Sequence, residues 1–321
     1  MQVVNDIPLS VLDLPMTQAG RPTSEILSGM ADVARRVEEL GYRRVWYAEH
    51  HATTVMADFP PPIVIAHIAA VTSTIRVGSG GVMAPNHAPL SVAEQFGALA
   101  ALHPGRVDLG VGRGPGTRDE SAIRALRRGA DQATEAEYAV DVADLLHRVG
   151  ERADAPEPWL LASSTTGAKL AAQHGLPVAF AHHIRPANTA EAAEAYRAHF
   201  RPSRWSAAPR IMVSLMAFCA NTDAEADRLA RPYEVFSSGI AVGEERAMPS
   251  PDEAAAYEFT QPELDAIAGR KAGQVRGTPT AVARRLAELA AEFGADELML
   301  ATPVYDPAER IASFELVSKS W

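Results

Sequence analysis

The chain has 321 residues, 47% hydrophobic and 22% charged, with 30 basic against 40 acidic side chains and a net charge of −10. That hydrophobic content excludes disorder for the bulk of the chain. The acidic balance, without a dense Lys/Arg run, excludes a typical nucleic-acid or anionic-membrane binder, and the single cysteine, Cys219, excludes an internal disulfide framework or a cysteine-rich metal site.

A lone cysteine suits a reducing, cytoplasmic setting. The start, MQVVNDIPLSVLDLPM, lacks a basic stretch ahead of a long apolar run, so no signal peptide is expected. The apolar run IMVSLMAFCA, residues 211–220, is about half of what a membrane crossing needs.

Along the chain, short apolar runs rich in β-branched or aromatic residues alternate with helical patterns. Strands are expected at residues 8–12, 44–48, 75–82, 106–111, 159–162, 178–181, 211–219 and 297–301. The first helix, 24–40, opens on a capping Ser24 and stops at Gly41. Further helices are expected at 61–72, 89–102, 120–149 (broken near Gly129), 166–174, 189–200, 223–233, 280–293 and 306–318. Several strands are apolar on consecutive residues, the mark of strands covered on both faces. Eight such βα units fit a closed (β/α)₈ TIM barrel, in one domain spanning residues 1–321. An open doubly wound sheet is the rival. Residues 236–277 hold no strand pattern and read as a long mobile lid after the seventh strand.

Barrel chemistry sits at the carboxyl ends of strands. After the second strand stand Glu49, His50 and His51, a possible general base with an orienting carboxylate. A plain surface loop explains them equally well. A metal is disfavoured, because adjacent imidazoles converge poorly on one ion. In the third strand, Gly80-Gly81 either lets a flat ring approach the backbone or forms a bulge. After the fourth, GVGRGPG at 110–116 either cradles a phosphate, with Arg113 as a clamp, or is a tight turn. After the fifth, Ser163, Ser164, Thr165 and Thr166 either bind a phosphate at a helix start or merely cap that helix. Two candidate phosphate loops on neighbouring strands point to a phosphorylated cofactor.

The runs VWYAEHH (45–51) and STIRVGSGGVMAPNHAPLSVAEQFGALAALHPGRVDLGVGRGPGT (73–117), with LAAQHGLPVAFAHH and GTPTAVARRLAELAAEFGADELMLATPVYD, resemble the bacterial luciferase-like flavin monooxygenases, in their short single-chain branch. The resemblance covers nearly the whole chain. It implies a barrel that uses reduced FMN, supplied by a separate reductase, and oxygen. A flavin hydroperoxide then oxidises a small organic substrate. It implies that His50 is the catalytic base or proton donor and that Glu49 buttresses the ring region. Gly80 and Gly81 would lie against the ring through a peptide that is often cis. Arg113 would bind the phosphate with Ser163, Ser164 and Thr165. It implies a homodimer through helices including 61–72 and 89–102. Two departures stand out: a short stretch at 149–159, and Gly167 where relatives often carry a hydroxyl. A deazaflavin-dependent hydride-transfer enzyme and a non-catalytic flavin-binding partner subunit are the alternatives.

Overall fold

The computed structural model describes residues 6–14, 16–56, 59–271 and 273–321. Residues 1–5, which bear on the export-signal reading, lie outside these. The strands are β1 (Leu9–Asp13), β2 (Arg44–Tyr47), β3 (Arg76–Ser79), β4 (Val82–Met83), β5 (Val107–Gly112), β6 (Glu157–Ala162), β7 (Val178–Ala181), β8 (Ile211–Cys219), β9 (Gln274–Gly277) and β10 (Glu297–Ala301). The helices are α1 (Thr23–Glu39), α2 (Pro61–Val71), α3 (Pro89–Leu102), α4 (Glu120–Leu126), α5 (Glu135–Gly150), α6 (Thr165–Gln173), α7 (Thr189–His199), α8 (Asp223–Val242), α9 (Pro251–Ala256), α10 (Gln261–Lys271), α11 (Pro279–Phe293) and α12 (Pro307–Ser320).

Eight strands pair in parallel around a ring, β1-β2-β3-β5-β6-β7-β8-β10, and β10 closes back onto β1. This is the expected (β/α)₈ barrel. Side chains alternate along each stave. Val11, Val45, Val178 and Leu298 join the core under the helices. Their neighbours Leu12, Trp46, Ala179 and Met299 join a second core that fills the barrel. Among the described residues, no helix is long and apolar enough to cross a membrane.

The lower layer of that interior is charged. Arg44 is fully buried and donates to Asp108 Oδ2 at 2.7 Å and to Glu297 Oε1 at 2.7 Å. Asp108 also accepts from Trp46 Nε1 at 2.9 Å and Arg76 Nε at 2.8 Å. Burial opposes the Arg44 charge, but Asp108, Glu297 and Glu157 hold it protonated. The guanidinium also lies 4.9 Å from the Trp159 ring centroid. A cavity of about 550 Å³ opens at this amino-terminal end, beside Arg43, Arg76 and Arg210.

Three expectations are corrected. Residues 236–277 are not a long strandless loop: they continue α8, add α9 and α10, and carry β9, which pairs with the end of β8. Strand β9 was hidden because Val275 is its one large apolar residue. Helix α8 overruns its expected end at 233 despite Pro232, because Tyr233 and Phe236 continue its buried face. Ser24 caps nothing; α1 starts behind Pro22, without a side-chain cap. The expected break near Gly129 is real and separates α4 from α5, which Thr134 opens with a capping box.

Candidate active site

A cavity of about 960 Å³ opens at the carboxyl ends of the strands, at the upper end of the usual range of about 300–1,000 Å³ for ligand sites. Its floor is the upper layer of inward residues, including Leu12, Trp46, Gly80, Leu161 and Met299. The glycines here make room for large neighbours. A Cβ on Gly80 would stand 2.7 Å from Leu12 Cδ1 and 3.1 Å from Trp46 Cβ, and one on Gly81 would stand 2.8 Å from the Gly110 carbonyl oxygen. The peptide between Gly80 and Gly81 is cis. Gly80 borders the cavity, whereas Gly81 is turned towards β5.

The three residues after β2 take different places. His50 walls the cavity. Its Nδ1 is buried and has no hydrogen-bond partner among the described residues. Burial, helped by His51 and opposed by Glu49, lowers the His50 pKa to about 4, so the ring is neutral at pH 7. Glu49 is buried behind it. Its Oε1 accepts from His51 Nε2 at 2.5 Å and His87 Nε2 at 2.7 Å, and its Oε2 accepts from the Met83 N–H at 3.0 Å. Burial alone would raise the Glu49 pKa, but these donors pull it down to about 2. The ligand atoms of Glu49, His51 and His87 lie within 4.8 Å of one another, the composition of a metal site, yet the facing atoms are joined directly by hydrogen bonds. The glycine-rich loop packs onto this group: Gly116 has φ +72° and its carbonyl accepts the His51 N–H at 2.9 Å.

Another part of the cavity lining is polar. Ser163, Ser164, Thr165, Thr166 and Gly167 line it at the start of α6, with Arg113 nearby. Ser164 also caps α6, its Oγ accepting the Gly167 N–H at 3.4 Å. Arg113 is half exposed and pairs with Glu135 at 2.5 Å. A side chain at 167 would crowd Ala162, whose Cβ lies 3.1 Å from an added Cβ, which gives Gly167 a packing reason.

Sequence reasoning missed Lys169, His183, Arg270 and His87. Lys169 and Arg270 line the cavity from α6 and α10. His183 also lines it, just past the end of β7, with Nδ1 2.9 Å from Ser214 Oγ. Its strand-end position was the available signal, the same one that marks His50. Burial lowers the pKa of His183 to about 4, with His182 and His50 adding to the shift and the Ser214 backbone opposing it, and burial lowers His182 to about 4 as well.

These histidines predict acid sensitivity. Above their ordinary value of 6.5 both folded and unfolded chains hold them neutral. Between 6.5 and about 4 the unfolded chain gains protons that the folded one refuses, so stability falls as pH drops. The slope reaches about 1.4 kcal/mol per pH unit for each histidine. Urea midpoints at about pH 7.5 and 5 check this; equal midpoints contradict it, and His183→Gln should flatten the difference.

A family model described as luciferase-like monooxygenase matches residues 9–297. A luciferase-like monooxygenase of Escherichia coli (strain K12) is 36% identical over 322 residues, covering 97% of this chain and 96% of the relative. The N-acetyl-S-alkylcysteine monooxygenase of Bacillus subtilis (strain 168) is 32% identical, covering 97% of both. The crystal structure of apo-MsnO8 superimposes with a TM-score of 0.88 at 34% identity, covering 98% of both chains.

Proposed function

The chain belongs to the luciferase-like monooxygenase family, and from that premise we propose that it binds FMN, reduced by a separate reductase, and uses oxygen to oxidise a small organic substrate. The observation that carries this is one cavity lined by a hydroxyl-rich helix start, two cations and a neutral buried imidazole. The residues fit the cofactor. Ser163, Ser164 and Thr165 would hold its phosphate with the first N–H groups of α6, and Lys169 and Arg113 would match its charge. The floor of Leu12, Trp46, Gly80 and Leu161 would take the flat ring. Reduced flavin, when bound, supplies the electrons that activate oxygen.

His50, which walls the cavity, would take and return the proton at an imidazole nitrogen. Glu49 acts through others, fixing His51 and His87 and thereby the segment that carries His50. Within residues 236–277, read as the lid, Phe236, Ser237, Ile240 and Arg270 line the cavity and would exclude water. The activity named for the Bacillus subtilis relative makes thioethers the first substrates to try. A cytoplasmic location is part of the same reading.

Anaerobic titration with reduced FMN tests it. Arg113→Ala and Lys169→Gln should each weaken binding about tenfold, modest for a charged hydrogen bond because both side chains are exposed. Failure of the unaltered protein to bind sinks the FMN assignment. Binding of the deazaflavin coenzyme alone would move the mechanism to hydride transfer.

We also propose a homodimer. Helix α2 has no charged residue, and Ile63 is 68% exposed on it, with Leu90 and Leu102 exposed on α3. A helix apolar all round needs a cover. Sedimentation should show a dimer that Ile63→Glu dissociates; a monomeric unaltered protein contradicts this.

A further inference from the structure

We propose that the substrate handled in this cavity carries a carboxylate, and that Arg270 is the residue that holds it. The proposal rests on the reading of the cavity as a site of oxidation and narrows its substrate class. The starting point is charge. The cavity is lined by Arg113, Arg118, Lys169 and Arg270 against Glu135 and Glu245, four cations to two carboxylates, in a chain of net charge −10. A cleft of that sign concentrates anions.

Most of this charge has another occupation. Arg113 is paired with Glu135 at 2.5 Å. Arg118 is exposed and donates to the Ile240 carbonyl at 3.2 Å. Lys169 stands on α6 near the hydroxyl cluster. Glu245 is exposed at the rim, where it accepts from the Thr53 and Thr54 hydroxyls at 3.3 and 3.4 Å. Arg270 differs from the other three cations in burial. It is half-buried, and the one hydrogen bond its side chain makes to the described residues is from Nη1 to the Ser237 carbonyl. None of the described carboxylates pairs with it.

A guanidinium has five N–H donors, so most of those on Arg270 are uncommitted. The same cavity is lined by Tyr233, Phe236 and Ile240 of α8 and Met216 of β8. A cation in such a wall is stabilised when an anion meets it, and the planar fork fits a carboxylate in bidentate fashion. The phosphate anchors follow β5 and β6, whereas Arg270 is tied to α8, which follows β8, so the two anions would have separate ends. The neighbouring thioethers and aromatic rings suit an apolar body attached to the carboxylate.

The test compares octanoate with octanamide, equal in length and different in charge. Calorimetric binding to the full chain is measured with and without FMN. Octanoate should bind at least tenfold more tightly than octanamide, Arg270→Gln should erase that preference, and Arg270→Lys should retain part of it. Equal binding of the two probes, binding of neither, or a preference that survives Arg270→Gln overturns the proposal. FMN and riboflavin titrations of Arg270→Gln form the second arm. Loss of FMN affinity with riboflavin affinity kept would assign Arg270 to the phosphate and overturn the proposal too. Failure of the unaltered protein to bind FMN would instead sink the flavin reading, and the octanoate comparison without FMN would still decide the role of Arg270.

Discussion

Replacing His50 by alanine is expected to lower kcat/KM for oxygen-dependent oxidation by about 10²–10⁴-fold, the usual worth of a positioned proton-transfer group. Binding of reduced FMN should survive, because the hydroxyls and cations proposed for the phosphate lie on other strands. The pH profile separates the two possible roles. kcat/KM reports the free enzyme, and the His50 pKa there is lowered to about 4. If His50 must start as a base, activity holds down through pH 6.5 and falls only as pH approaches about 4. If it must start as an acid, activity rises as pH falls over the same range. Product formation with enzymatically supplied reduced FMN gives both readouts. A His50→Ala variant with unchanged kcat/KM would remove the residue from the chemistry.

The second large effect concerns stability. Arg44→Ala leaves Asp108 and Glu297 buried at the bottom of the barrel without the cation between them. Breaking such a pair costs about 3–5 kcal/mol, a large part of the roughly 5–15 kcal/mol that holds a typical domain folded. Arg44→Met should cost nearly as much, since what hurts is two buried carboxylates left with only Arg76 and the more distant Arg43. Adding Glu297→Gln to Arg44→Met should recover part of the loss, because one of those charges is then gone. Urea unfolding followed by tryptophan fluorescence suits the measurement, since Trp46 and Trp159 flank Arg44. An Arg44→Ala midpoint equal to that of the unaltered chain would show that water or other cations replace the guanidinium.

The barrel was legible because its staves are apolar on consecutive residues, as at Val11-Leu12 and Leu298-Met299, where one side chain faces the helices and the next the interior. Strand β9 was not, because QVRG carries one large apolar residue and exists by pairing with β8. The helix expected at 223–233 runs on to Val242, because its buried face outweighs the backbone bond lost at Pro232. In the site, His50 and the hydroxyls after β6 were legible as strand-end chemistry, and the same rule applied to β7 would have found His183. Arg270, Lys169 and His87 stand within helices or loops in runs that no local pattern distinguishes. Their meaning comes from convergence across strands distant in sequence.

The carboxylate of Glu49 fixes a proton inventory. With its pKa pulled to about 2 it is ionised at neutral pH and accepts only. His51 and His87 must therefore both carry hydrogen on Nε2, and whenever they are neutral both present a bare lone pair at Nδ1. Three N–H groups converge on its two oxygens. A glutamine there would have one accepting oxygen and one donating NH₂ in nearly the same volume. Whichever way that amide turned, a donor would face a donor. The tautomers of two imidazoles and the seating of the Met83 backbone are thus specified together by a single ionised group, and a nearly isosteric exchange would unsettle all three.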